Sequence, residues 1–204
     1  LEIIDHISTK FHVFPFPNLS IKKADLRVIN QPITLKTKDV KIFLNLNNIY
    51  NFENLKPRKI IFSETEIDLD IEQIKKLLDY FNKLKFKFDM KNLNLNLKKE
   101  NKSLFKIEKI NFSNYGYKKF KINGKIFDER FKAHFKNSNK DLHFKIINTG
   151  IKAEFKLKEK SPANLVSGSS KVKFLKNYLK FDFDLNNKRL QIAKSNFKSE
   201  NLSI

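Results

Sequence analysis

The chain contains no cysteine, which excludes disulfides and thiolate metal sites and leaves the redox compartment open. It has no tryptophan, one methionine, four glycines and five prolines in 204 residues. With so few glycines, neither the G-x-G-x-x-G fingerprint nor a P-loop occurs. Ser167-Gly168-Ser169-Ser170 has no lysine at the P-loop spacing, and no helix is expected to start there. No run of 18 apolar residues is present, so no segment spans a bilayer as a helix. Arginine is scarce too, at Arg27, Arg58, Arg130 and Arg189 alone. Base-reading surfaces lean on arginine for bidentate contacts, so this scarcity argues against specific nucleic-acid recognition.

What the chain has in quantity is lysine and phenylalanine. Lys and Arg outnumber Asp and Glu 42 to 22, a net charge of +20, which attracts anionic lipid head groups, lipopolysaccharide or nucleic acid. The bias toward Lys, Asn, Ile and Phe is also that of AT-rich coding DNA, so a solvated lysine face is the simplest reading of the charge. With 21 Phe and 40% hydrophobic residues the chain is rich enough in apolar surface to fold.

Apolar residues recur with period two. Phe86, Phe88 and Met90 alternate with Lys85, Lys87 and Asp89, and Leu93, Leu95 and Leu97 with Asn92, Asn94 and Asn96. The same alternation marks Phe120–Ile126, Leu142–Ile146, Ile151–Leu157, Val172–Phe174, Leu179–Leu185 and Leu190–Ile192. It predicts about a dozen strands, each apolar on one face and lysine- or asparagine-rich on the other. Asn114-Tyr115-Gly116, Asn148-Thr149-Gly150 and Asn186-Asn187-Lys188 read as tight turns, which favour a mainly antiparallel meander. The small-residue stretch 161–170 is expected to be a flexible loop.

One segment departs from this. Ile71, Ile74, Leu77, Leu78, Phe81 and Leu84 recur every three or four residues, which predicts an amphipathic helix near 71–83. A weaker helical turn is expected near Asn47–Leu55. A 13-residue helix is roughly 20 Å long, whereas a dozen strands at ~4.8 Å make a sheet about 55 Å wide. One helix cannot cover that face. The expected fold is therefore all-β, a strongly curved sheet forming an apolar groove or half-pipe, in one domain over 1–204.

Catalytic constellations are not evident. His134 and His143 fall on neighbouring predicted strands but occupy polar-face positions without accompanying cysteines or carboxylates, and read as surface histidines. Asp68 with Asp70, and Asp182 with Asp184, line the polar faces of strands and lack an opposed second carboxylate. No nucleophile has an identifiable base, so no enzyme and no cofactor is expected. Alternation separates rings from cations, unlike the stacking platforms of single-strand binders. An apolar trough with a basic exterior suits acyl chains inside and anionic head groups at the rim. The candidate lipid contacts are Phe86, Phe88, Leu93, Leu95, Phe144, Ile146, Phe181 and Phe183.

Phe14-Pro15-Phe16-Pro17-Asn18-Leu19-Ser20-Ile21, followed by Ala24-Asp25-Leu26-Arg27-Val28, resembles the N-terminal signature of the AsmA-like family. Val40–Leu44, Ile60–Phe62 and Ile67–Ile71 are similar to the strands that follow it there, so the resemblance covers about residues 8–72. It implies a periplasmic protein of a Gram-negative envelope, anchored to the inner membrane by a segment upstream of residue 1 and belonging to a longer chain. It further implies a repeating β-groove that handles or transfers phospholipid and supports outer-membrane assembly, with no catalytic residues to carry over. The expected partners are phospholipid or an anionic membrane surface, and other envelope proteins at the open sheet ends. The alternatives are a basic β-domain that binds nucleic acid and a sealed β-sandwich module for structure or adhesion.

Overall fold

The computed structural model describes residues 1–45, 57–70, 73–100, 102–136, 141–158, 165–186 and 189–199, without the side chains of 75, 78, 79, 82, 83, 118, 165, 166 and 186. The described chain is all-β and mostly antiparallel, and it divides into two compact units. The helical turn expected near 47–55 lies outside the described residues.

The first unit contains β1 (Glu2–Asp5), β2 (Ser8–His12), β3 (Asn18–Arg27), β4 (Thr34–Leu44), β5 (Pro57–Asp70), β6 (Lys87–Lys99) and β7 (Lys102–Ser113). Strands β3 to β7 lie side by side in chain order, and β1 and β2 share the outer edge of β3. Every pairing among them is antiparallel except β5 with β6, which is parallel. A parallel neighbour needs a crossover that returns the chain to the same end of the sheet. Here the crossover carries helical backbone, α1 (Ile74–Lys83). The amphipathic helix expected near 71–83 lies partly outside the described residues. Of its described side chains, Leu77 is buried and Phe81 stacks on Phe88 with ring centres 5.2 Å apart.

The core of this unit depends on a break in the alternation that five strands share. Two consecutive polar residues interrupt each of them. Lys22-Lys23 stand between Ile21 and Ala24, Lys38-Asp39 between Thr37 and Val40, and Ser63-Glu64 between Phe62 and Thr65. Lys91-Asn92 stand between Met90 and Leu93, and Glu108-Lys109 between Ile107 and Ile110. Ile107 is half-buried and the other flanking residues are buried. Four of these pairs hold a residue with positive φ: Lys23 at 49°, Glu64 at 51°, Asn92 at 55° and Lys109 at 52°.

An extra residue in one strand alone shifts its register and turns the following side chains to the opposite face. Strands β3 to β6 take the extra residue at the same level, so register survives on both sides of the step; β7 takes its own one pair further along the ladder, and its pairing with β6 is bulged there. Ile21 faces Val40 and Leu26 faces Leu35, while Ile60 lies beside Phe88 and Leu69 beside Leu97. Thr37 and Thr65 are buried next to this phase step. The Thr65 hydroxyl donates to Thr37 Oγ1 at 3.1 Å, and the Thr37 hydroxyl donates to the Ser63 carbonyl at 3.2 Å.

The second unit is an antiparallel meander of β9 (Glu129–Lys136), β10 (Asp141–Ile146), β11 (Lys152–Leu157), β12 (Leu165–Phe174), β13 (Asn177–Asn186) and β14 (Leu190–Ser199). The residues of β8 (Lys121–Ile126) are divided between the two units. The turn after β10 closes where predicted, with Asn148 at φ 67° and Gly150 at φ 75° and the Ile146 N–H donating to the Ile151 carbonyl at 3.0 Å.

The loop expected over 161–170 is corrected from residue 165 onward, since Ser167-Gly168-Ser169-Ser170 lie within β12. Their small size serves packing. A Cβ on Gly168 would come within 2.9 Å of Phe183 Cζ and 2.4 Å of the Lys156 carbonyl oxygen.

The phase step makes a specific prediction for urea unfolding. Glu64→Gly suits the positive φ and should leave stability within about 1 kcal/mol of wild type. Deleting Glu64 should turn Thr65, Ile67 and Leu69 to the solvent side and abolish the cooperative transition.

Candidate functional site

In the first unit the candidate lipid contacts lie on or beside the packed apolar face. Asn114 fixes the start of β6, because its carboxamide accepts from the Phe88 N–H at 2.8 Å and donates to the Phe86 carbonyl at 2.9 Å. Phe88 is fully buried, and its ring packs against Phe81 and, at 5.7 Å, Phe112. Leu93 is buried, while Phe86 and Leu95 are half-buried. Phe88, Leu93 and Leu95 share the apolar face although they straddle the phase step, because the step reverses the alternation between them.

The second unit presents its apolar face differently. Cross-strand pairing aligns Ala133, Phe144, Ala153, Val172, Leu179 and Phe197 in one row and Phe135, Leu142, Phe155, Ser170 and Phe181 in another. Phe131 and Phe144 lie 5.4 Å apart, and Phe183 meets Phe155 edge-on at 6.2 Å. Phe183 is buried, whereas Phe144, Ile146 and Phe181 are half-buried. Toward β14 the cover runs out: Leu185, Leu190, Ile192 and Phe197 are all exposed.

The opposite face of this unit carries the cations. Lys132, Lys145, Lys152, Lys171 and Lys180 alternate with the apolar positions. Separation of rings from cations is not complete, however. Tyr178 lies among the lysines, with Lys173 Nζ 4.6 Å from its ring centre and donating to its hydroxyl at 2.6 Å. In the first unit Lys59 Nζ lies 4.9 Å from the centre of the Tyr115 ring. The Tyr115 hydroxyl donates to Asp89 at 3.0 Å, and Asp89 also pairs with Lys59 at 3.1 Å. Burial alone would raise the Asp89 pKa, but hydrogen bonds from Ser113, Lys59 and Tyr115 outweigh it and hold the carboxyl below its ordinary range.

Two other features are candidates for chemistry. His134 and His143 face each other across β9 and β10, with rings parallel and centres 4.8 Å apart. His143 Nδ1 lies 3.8 Å from Glu154 Oε1 on β11. Burial, followed by the charges of His143, Lys136 and Lys121, lowers the His134 pKa. Among the described residues no group of three His, Cys, Asp or Glu could hold a metal ion. The second feature is an open trough of about 870 Å³ along the phase step, where Lys23, Lys36, Lys38 and Lys109 meet Asp25, Glu64, Glu66 and Glu108. Its charges cancel, and Lys38 already pairs with Glu64 at 2.8 Å, so it offers no field of one sign to a ligand.

Asp68 and Asp182 stand where alternation places them, on the polar faces of β5 and β13. Asp68 accepts from Lys98 at 2.7 Å and from Asn96 at 3.0 Å, which accounts for its lowered pKa. Alternation alone missed the phase step and the two lysine-flanked tyrosines. The doubled polar residues within each apolar run were the available signal for the step. No family model, curated protein or solved structure matches the chain.

Two outcomes follow. Phe88→Asp should largely unfold the protein, because an unpaired buried charge costs several kcal/mol. Ile192→Asp, on the exposed part of the other apolar face, should cost less than about 1 kcal/mol in the same chemical denaturation. As for pH, His134 in the folded state binds its proton less readily than in the unfolded chain. Stability is therefore full above the ordinary histidine pKa and falls as pH drops below it. His134→Gln should flatten that decline in melting temperature between about pH 7 and pH 5.

Proposed function

We propose that the chain is a non-enzymatic envelope domain of the AsmA-like type, which holds phospholipid acyl chains along an apolar sheet face in the periplasm. In this reading it transfers lipid or supports outer-membrane assembly. The observation that carries the reading is the apolar face of the second unit. It is continuous across β9–β14, only partly covered, and backed by lysines. An apolar surface left open by its own chain marks a binding surface, and the cations behind it favour anionic head groups at the rim.

Phe144, Ile146, Phe181 and Phe183 are then the acyl contacts. Phe86, Phe88, Leu93 and Leu95 lie on or beside the packed apolar face of the first unit. In this reading the sheet of each unit curves around its own apolar face. The AsmA-like resemblance contributes the inner-membrane anchor upstream of residue 1 and other envelope proteins at the sheet ends. The reading assigns no catalysis and no cofactor.

A second reading, single-stranded nucleic acid on the lysine face, draws on Tyr115 and Tyr178, whose rings stand among cations. It ranks second because lysine ammonium groups already lie over both rings.

Native mass spectrometry of protein purified from cells without detergent tests the first reading. Adducts of phospholipid mass are expected on the wild type and should disappear with Phe144→Asp and Phe181→Asp, both of which should remain partly folded. A lipid-free wild type that binds single-stranded oligonucleotides with sub-micromolar affinity near physiological salt would overturn it.

A further inference from the structure

The segment between β2 and β3 exposes more apolar surface than its length requires. Val13 is 70% exposed, Phe14 88% and Phe16 62%, and Phe11 just before them is 55% exposed. Scattered exposed hydrophobic residues are ordinary, but four within six positions, two of them rings in one loop, form a patch.

The main chain of this loop has few donors. Pro15 and Pro17 have no N–H to leave unsatisfied. The Phe16 carbonyl accepts from Asn18 Nδ2 at 2.8 Å, and the Pro17 carbonyl accepts from the Leu44 N–H at 3.2 Å. With two prolines in five residues, only three N–H groups need a partner when the loop leaves water, which lowers the cost of entering a lipid interface. The two missing N–H groups also make the loop a poor template for a protein partner that binds by adding a strand, since that mode relies on main-chain donors and acceptors in sequence.

The charge near the loop is mainly positive, although Lys22 is paired with Asp39 at 3.0 Å. Between Asp5 and Asp25 the chain holds no carboxylate, while Lys10, Lys22 and Lys23 fall there. In the sheet beside it, Lys10 faces Ser20, which in turn faces Lys41. The next row runs from His12 through Asn18 and Phe43 to Lys59 and Lys87. Lys59 is paired with Asp89, but Lys10, Lys41 and Lys87 are exposed.

We propose that the Val13-Phe14-Pro15-Phe16-Pro17 loop inserts its two phenylalanine rings into the interfacial layer of an anionic bilayer, with Lys10, Lys41 and Lys87 drawn to the head groups. Apolar insertion and lysine attraction together are the two signals that stable membrane docking needs. The proposal does not rest on the acyl-chain reading, since a protein that carries no lipid could dock in this way.

The chain has no tryptophan, so Phe14→Trp introduces a single reporter. On addition of phosphatidylglycerol–phosphatidylcholine vesicles its emission should shift to the blue and be quenched by lipids brominated along the acyl chain. The double variant Phe14→Ser/Phe16→Ser should melt like the wild type, because both rings are exposed, yet bind these vesicles at least about tenfold more weakly. Three results would each overturn the proposal. The double variant could bind like the wild type, which leaves charge alone at work. The reporter could fail to shift with vesicles. Or it could shift without vesicles in proportion to protein concentration, which would make a second copy the occupant of the patch.

Discussion

The first unit depends on one constraint, the shared level at which β3 to β6 each take an extra residue. In a pleated strand every residue added reverses the facing of those beyond it. A single strand that did this alone would push half of its apolar residues into water. Four strands doing so together keep their pairing, with β7 following one pair further along, and the cost is a set of polar residues with left-handed backbone at Lys23, Glu64, Asn92 and Lys109. The left-handed region costs an L-residue roughly 1–2 kcal/mol. What offsets this is burial on both sides of the line, from Phe62 and Phe88 on one side to Ile67 and Leu69 on the other.

The two units solve the same problem differently. Both consist of strands apolar on one side, and such a face must be covered or left for something else to cover. In the first unit the largest side chains are fully enclosed. In the second, Phe131, Ala133, Ala153 and Phe183 are buried, whereas β14 is exposed almost throughout. Small residues in β12 matter here. Gly168 lets the Phe183 ring lie directly on the backbone, which draws β13 into the packed part of the face, and nothing comparable draws in β14.

Much of this was legible in the sequence. Alternation placed the strands, Asn and Gly placed the turns, and the polar-face positions of Asp68, His134 and His143 followed from parity. The chain read through 165–170 was misjudged because serine and glycine resemble loop chemistry when considered alone. Only their cross-strand neighbours, Phe181 and Phe183, show why small residues belong in that strand. Parallel pairing of β5 with β6 was missed because short links elsewhere suggested an unbroken meander. The phase step was present in the letters, as Phe88 and Met90 on even numbers and Leu93, Leu95 and Leu97 on odd ones. A period-two search treats those as two strands rather than one. The uneven enclosure of the candidate site was beyond reach, since exposure depends on what lies over a face rather than on the face itself.

The aligned step also acts on folding errors. Strands this alike, built from lysine, asparagine, leucine and phenylalanine, are prone to pair with the wrong neighbour or slide by two residues, a slip that alternation alone does not penalise. In β3 to β6 any such slip sets one strand's reversal against its neighbour's ordinary pleat, so the mismatch is felt along the whole ladder. The step is thus a key that only the correct alignment fits, and it makes competing alignments less stable. Strands β9 to β13 carry no such key and rely on their turns. Misaligned and self-associating forms of this chain should therefore originate in its C-terminal half.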